Sequence, residues 1–435
     1  MSRRLWFARL GQAMRLGIVL LGCCGVTSAD GDWKQFRGPN RDGHAAPQAL
    51  LKSWPESGPK LAWSFENAGI GYSSVSVENE LLFTMGKREQ ESQLICLNSK
   101  DGKEIWSASL GRGTKSDDYL TGWGDGPRST PTIDGEFVYA LSDVGDLGCF
   151  QKVSGKKVWA VNLVSDLGGS IPKWGYSESV LIDGDRLIVT PGGKSLLVGL
   201  DRRTGAKIWS SKFGAGAQYV SVVKHEFGGV PVYLTACDSG LVGIHCESGD
   251  MLFQNGATGN GVAVIPSPIV SGDIVYHSSA YKAGNAAVRI TVAGGKLEAK
   301  QIYHETKENM ENHHGGYVLE DNAILGFSKS LRGVWMAQDL PTGKVLWSKR
   351  IGNGTSGSIA IADGLIYCYD DRDGICYLAK ASRTGWETLG QVTLPAQTAS
   401  DRKQGAIWAH PVIADQKLII RDQERIYAFD IAGNQ

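Results

Sequence analysis

One phrase that keeps returning constrains this chain more than any other feature. Leu94 to Leu110 reads LICLNSKDGKEIWSASL, an apolar run, a tight Asp101-Gly102 turn and a second run carrying Trp106. It returns as LGCFQKVSGKKVWAVNL (Leu147 to Leu163) and LVGLDRRTGAKIWSSKF (Leu197 to Phe213). Weaker copies run from Leu241 to Asn255, Val334 to Arg350 and Ile375 to Gln391. A repeat of roughly 50 residues, with one glycine turn and one aromatic per copy, marks a chain built from stacked supersecondary units.

Each copy is preceded by a further hairpin, so a unit holds four strands. Between Thr130 and Trp159 the strands are separated by turns at Asp134-Gly135, Gly145 and Gly155. Many of the strands are apolar on both faces, which suits sheets stacked on one another. The aromatic anchors count the units: Trp63, Trp106, Trp159, Trp209, Phe253, Trp347 and Trp386. The interval from Phe253 to Trp347 is double the others, so a degenerate unit lies within it. Its strands run from Ile265 to His277 and from Arg289 to Tyr303, with a Gly294-Gly295 turn and no Trp. After Trp386 only three strands remain, Ile407 to Arg421 and Ile426 to Asp430, while Leu61 to Phe65 has no hairpin of its own. Ring closure by that strand predicts an all-β, eight-bladed β-propeller of four-stranded antiparallel blades, in which no sheet edge is orphaned. Cys96, Cys149, Gly199 and Gly243 share one repeat position, a slot for small side chains.

Ahead of the ring, residues 1–29 read as an export signal. Arg3, Arg4, Arg9 and Arg15 precede the apolar Leu16 to Leu21, and Thr27-Ser28-Ala29 forms a small-residue cleavage site. Leu20-Leu21-Gly22-Cys23 also reads as a lipobox, which would end the signal at residue 22 and leave a lipidated Cys23. Ser2-Arg3-Arg4 has a weak twin-arginine character. Either route predicts an exported protein of the periplasm or cell envelope. Residues 30–60, with Trp33 and Trp54, predict a loop segment lying on one face of the propeller, and residues 61–435 form the propeller itself. Six cysteines follow the signal without a compact disulfide framework; Cys368 and Cys376 flank a hairpin where they would face each other. Lys+Arg and Asp+Glu balance at 45 each, which argues against a nucleic-acid partner. No apolar run beyond the N-terminus is long enough for a transmembrane span.

The recurring Asp-Gly, Val/Ile-Tyr strand, Gly-x-Leu and Thr/Ser-Gly-Lys-x-x-Trp resembles the pyrroloquinoline-quinone-like (PQQ-like) β-propeller repeat along nearly the whole mature chain. That resemblance has two branches. One is the quinoprotein dehydrogenases, which hold PQQ and Ca²⁺ in the central funnel; the other is the non-enzymatic BamB-type propellers of outer-membrane protein assembly. The length, the export signal and Cys23 are similar to the second. It implies a monomeric protein-binding or scaffolding module with envelope proteins or peptides as partners. The alternative is a PQQ- and Ca²⁺-dependent alcohol or sugar dehydrogenase, or a cofactor-binding sensor.

Chemistry in such a ring belongs in the loops that lead into each inner strand. In the dehydrogenase reading Trp123 or Trp174 would stack on the cofactor, Arg128 and Lys194 would pair with its carboxylates, and Asp125 or Glu178 would serve as Ca²⁺ ligand or base. In the binding-module reading Tyr119, Tyr176, His313, His314, Trp408 and His410 would meet a partner. Against the enzyme, the only adjacent cysteine pair is Cys23-Cys24, inside the export signal. A glycan-hydrolysing propeller would need a carboxylate pair, and none is assignable. His313-His314 reads as hydrogen-bonded loop histidines, since metal sites need three or four convergent ligands. Asp370 to Gly374 reads as an acidic hairpin turn. No catalytic residue and no metal ligand is assigned.

Overall fold

The computed structural model describes residues 31–433 except residue 295; the expected export signal and Cys23 lie outside the described residues. Eight four-stranded antiparallel sheets form the ring. Blade 1 begins at Ser76–Glu78, blade 2 at Thr132–Asp134, blade 3 at Leu181–Asp183 and blade 4 at Val223–Phe227. Blade 5 begins at Ile269–Ser271, blade 6 at Tyr317–Glu320, blade 7 at Gly357–Ala362 and blade 8 at Val412–Ala414. Lys60–Phe65 is the outer strand of blade 8, pairing with Arg425–Asp430, so the two ends of the chain close the ring. No helix among the described residues is long and apolar enough to cross a membrane.

The repeat phrase has a structural meaning that the spacing alone does not convey. In every blade a β-bulge adjoins the anchor position of the outer strand, and the anchor lies opposite one residue of the third strand. Trp106 faces Cys96, Trp159 faces Cys149, Trp209 faces Gly199, Phe253 faces Gly243, Trp347 faces Ala337 and Trp63 faces Ala428. The small residue leaves room for the ring. Two anchors differ from the sequence expectation. Blade 5 does have one: Tyr303 faces Ala287 at the bulge. In blade 7 the bulge position is Gly390, opposite Leu378, whereas Trp386 sits nearer the hairpin, opposite Ala381. Here bulk has moved to the third strand, and Trp54 of the N-terminal segment covers Gly390; a Cβ on that glycine would meet the Trp54 Cβ at 2.5 Å.

Residues 31–59 do more than lie on a face. Trp33 bridges to Val77 of blade 1, and the Lys34 carbonyl accepts from Ile133 N–H of blade 2. Arg41 donates to the Ser179 and Val180 carbonyls at blade 3, and Arg37 to Gly315 and Tyr317 at blade 6. Ala45 then bonds Ile361 of blade 7, and Gln48 bonds Ile413 of blade 8. The segment therefore crosses the channel and plugs it. Its two guanidinium groups are fully buried, and burial pushes both down to about 10. All six described cysteines are buried free thiols; Cys368 and Cys376 sit diagonally on neighbouring strands, not face to face. Asp370 accepts from Arg372 and Asp373 N–H, closing the acidic hairpin turn.

The candidate funnel site

Above the plug, the loops approaching the inner strands surround a cavity of about 310 Å³. Phe36 and Arg37 form its floor. Tyr72, Trp123, Trp174, Tyr219, Tyr281 and Trp408 supply aromatic wall, and Ser74, Thr130, Ser221 and Ser267 line its inner-strand side. The hydroxyls also stitch blades together: Thr130 N–H donates to Ser179 Oγ (2.9 Å), Ser179 N–H to Ser221 Oγ (2.9 Å), and Ser267 Oγ to the Ser221 carbonyl (2.7 Å). An arc of small hydroxyl residues thus ties together the loops leading into blades 2 to 5.

Seven of the twelve residues singled out from the sequence reach this cavity: Trp123, Arg128, Trp174, His313, His314, Trp408 and His410. Trp123 is carried by the short 3-10 turn Thr121–Trp123, whose Gly122 carbonyl accepts from Gln404 N–H of the loop before blade 8. Arg128 lies 4.8 Å above the Tyr72 ring and donates through Nη2 to the Gly124 carbonyl. Trp408 packs against Tyr72 (centroids 5.1 Å apart) and against His314 (5.9 Å). His313 shares a hydrogen bond with the Tyr281 hydroxyl, His314 with Ser356 Oγ, and His410 Nε2 donates to the His314 carbonyl. The apolar surroundings push His313 and His410 down to about 3, and burial with the neighbouring His313 and His410 drives His314 down as well. All three are neutral near pH 7.

The other five stand behind the wall or apart from it. Tyr119 donates to the buried Asp143 carboxylate (2.6 Å), and Asp125 pairs with Lys87 (3.1 Å). Tyr176 donates to the Ser170 and Pro191 carbonyls, fastening the loop before blade 3. Glu178 points into blade 3, where it accepts from Thr190 N–H; burial lifts it to about 7. Lys194 sits exposed on the hairpin between the second and third strands of blade 3. Tyr72, Tyr219, Tyr281 and Lys329 also line the cavity and are among the residues missing from the sequence reading.

A quinone held by calcium can be tested against this donor set. Ca²⁺ takes about six to eight oxygen ligands, carboxylates prominent among them. The cavity lining contains no Asp or Glu, and among the described residues no three His, Cys, Asp or Glu side chains converge as a metal site. The residues do not fit such a centre.

Comparison with known proteins agrees with the repeat. The family model described as "Outer membrane protein assembly factor BamB" matches residues 90–328 and 143–388, more than half of the chain. Outer membrane protein assembly factor BamB of Moranella endobia (strain PCIT) is 24% identical over 343 residues, covering 75% of this chain and 71% of that protein. Among solved structures, BamB of Moraxella catarrhalis superposes with a TM-score of 0.58 at 14% identity, over 86% of this chain and all of that one. Quinohemoprotein alcohol dehydrogenase from Comamonas testosteroni gives 0.62 at 10% identity, over 94% of this chain and 82% of that one. Both structural likenesses speak to the fold alone. The family match goes further: this chain belongs to the outer membrane protein assembly factor BamB family of PQQ-like propellers.

Proposed function

We propose that this propeller is an exported, non-enzymatic protein-binding module that takes part in outer-membrane protein assembly at the periplasmic side of the envelope. Membership of the BamB family supports the process. The observation that carries the binding role is the rim of the funnel. Leu120, Trp123, Val262, Tyr281 and Leu331 are large apolar side chains left exposed around one mouth, Leu120 by 53% and Trp123 by 45%. Exposed apolar groups gathered on loops of a rigid scaffold are the usual form of a protein-docking surface. Trp408 and His313 lie just inside that rim and would meet the same partner, while Tyr119 and Tyr176 would act from behind by holding the loops.

The test is genetic. Loss of the gene should lower the amount of folded β-barrel protein in the outer membrane; the unaltered gene should restore it, and a Leu120→Asp, Leu331→Asp variant should not. A rim variant that is folded and complements fully would remove the rim from the function. Normal barrel content in the deletion strain would remove the assembly role itself.

A further inference from the structure

We infer that the funnel cavity is a binding site for a small aromatic carboxylate, held by cations and aromatic rings without a metal ion. The volume of about 310 Å³ lies at the lower end of the roughly 300–1,000 Å³ typical of small-molecule pockets. Its size suits a compact ligand of one or two fused rings.

Charge selects the sign. The lining carries no Asp or Glu, yet it includes Arg128 and Lys329. Each lies on an aromatic face, Arg128 4.8 Å above Tyr72 and Lys329 5.9 Å from the Tyr281 centroid. Neither has a carboxylate partner among the described residues. Arg37, in the floor, is committed to the carbonyls of Gly315, Asp42 and Tyr317. Arg128 differs. Only Nη2 has an acceptor, the Gly124 carbonyl, so its guanidinium is not saturated as that of Arg37 is. A cation with spare donors in a largely apolar pocket favours an anion that can accept from the guanidinium fork. A second cation would be repelled, and a neutral ligand would leave both side chains without a counter-charge.

Shape selects the body. Tyr72, Trp123, Trp174, Tyr219, Tyr281 and Trp408 present rings from separate loops, and rings set around a slot favour a flat aromatic ligand through offset and edge contacts. The histidines add no positive charge near neutral pH. One guanidinium and one ammonium therefore supply the positive charge that a carboxylate needs. The cavity shares Trp123 and Tyr281 with the docking rim, but Leu120 and Leu331 lie outside its lining, so changes at those two positions separate the two roles.

The experiment is calorimetric titration of the intact mature protein with 2-naphthoate, with naphthalene-2-carboxamide, and with cyclohexanecarboxylate, each with and without EDTA. We expect saturable naphthoate binding, at least tenfold weaker binding of the uncharged amide and of the non-aromatic acid, and no effect of EDTA. Arg128→Gln should weaken naphthoate tenfold or more with the melting temperature unchanged, and Lys156→Gln, on an exposed turn of the opposite face, should not. Equal affinity for naphthoate and its amide, binding that requires added calcium, or no saturation at millimolar naphthoate would each overturn the inference. The comparison of acid with amide uses the unaltered protein, so a folding defect in the variant cannot blur it. Leu120→Asp should leave naphthoate binding intact, which separates this site from the proposed docking rim.

Discussion

Trp63 lies on Gly102. The indole belongs to the strand that closes the ring, the glycine to the last turn of blade 1, and a Cβ on that glycine would come within 2.5 Å of the indole. The Trp63 Nε1 donates to the Ser99 carbonyl at 2.9 Å. Trp159 makes the same pair of contacts with Gly205 and Arg202, and Tyr303 with Gly343 and Leu340. Each anchor therefore reaches across a blade boundary into the following turn. Gly102 also holds φ at +72°, a conformation that costs other residues. Trp63→Ala should destabilise the protein by about 3–5 kcal/mol, the range for losing a buried large aromatic, as read by denaturant unfolding. A change below about 1 kcal/mol would mean that the seam is held elsewhere.

Arg421 pins the same seam from the inside. Its fully buried guanidinium donates to the Gln423 carbonyl of its own blade and, across the boundary, to Ser73, Met85, Ala68 and Gly69 carbonyls and Thr84 Oγ1. Burial pushes it down to about 9, still charged at neutral pH. Removing one side of a buried polar cluster is far costlier than replacing all of it. Arg421→Met should cost about 3–5 kcal/mol. Arg421→Lys should rescue little, because an ammonium cannot reach acceptors spread around a planar fork. Thermal unfolding of the pair of variants checks both statements.

Glu178 gives a pH signature with a definite sign. Its folded value, about 7, lies above the ordinary 4.5 because burial disfavours the carboxylate. The folded protein thus keeps a proton that the unfolded chain releases. That contribution is fully present below about pH 4.5 and is lost as pH rises through 7. Glu178→Gln should therefore gain stability relative to the parent between pH 5 and 8, by roughly 3 kcal/mol at the alkaline end. A difference in unfolding free energy that does not vary with pH would contradict it. The neutral histidines act in the opposite sense, their contribution being lost as pH falls below 6.5.

The cysteines should be silent until the fold opens. Burial raises Cys96, Cys149 and Cys246 to about 12 and drives Cys368 and Cys376 higher still, suppressing the reactive thiolate. A chain beginning at Gly31 should show no reaction with Ellman's reagent when native and six thiols in guanidinium chloride. Fewer than six would reveal a disulfide.

The ring was legible because its cause is periodic: one turn glycine, one bulky anchor and one small partner recur in each copy. Where the volume is shared differently the signal disappears. Tyr303 escaped notice because it stands eight residues after Gly295, whereas Trp106, Trp159, Trp209, Phe253 and Trp347 each follow their turn glycine by four. Trp386 misled because the bulk of blade 7 had passed to Leu378 and to Trp54, far away in sequence. The site was legible in its loops but not in its side-chain directions. Glu178 adjoins the hydroxyl of Ser179, yet its side chain turns into the blade. Tyr72 and Tyr219 could have been found, since each lies two residues before a cavity-lining serine, Ser74 and Ser221.

The plug also gives the molecule a direction. Gly31 lies against Asp415, in the turn between the first two strands of blade 8, and the cup opens on the other side. A body tethered through residues upstream of Gly31 would present its aromatic cup away from the point of attachment. With the axis obstructed, nothing could pass through the middle from one side to the other. In a tethered form, attachment and recognition would fall at opposite poles.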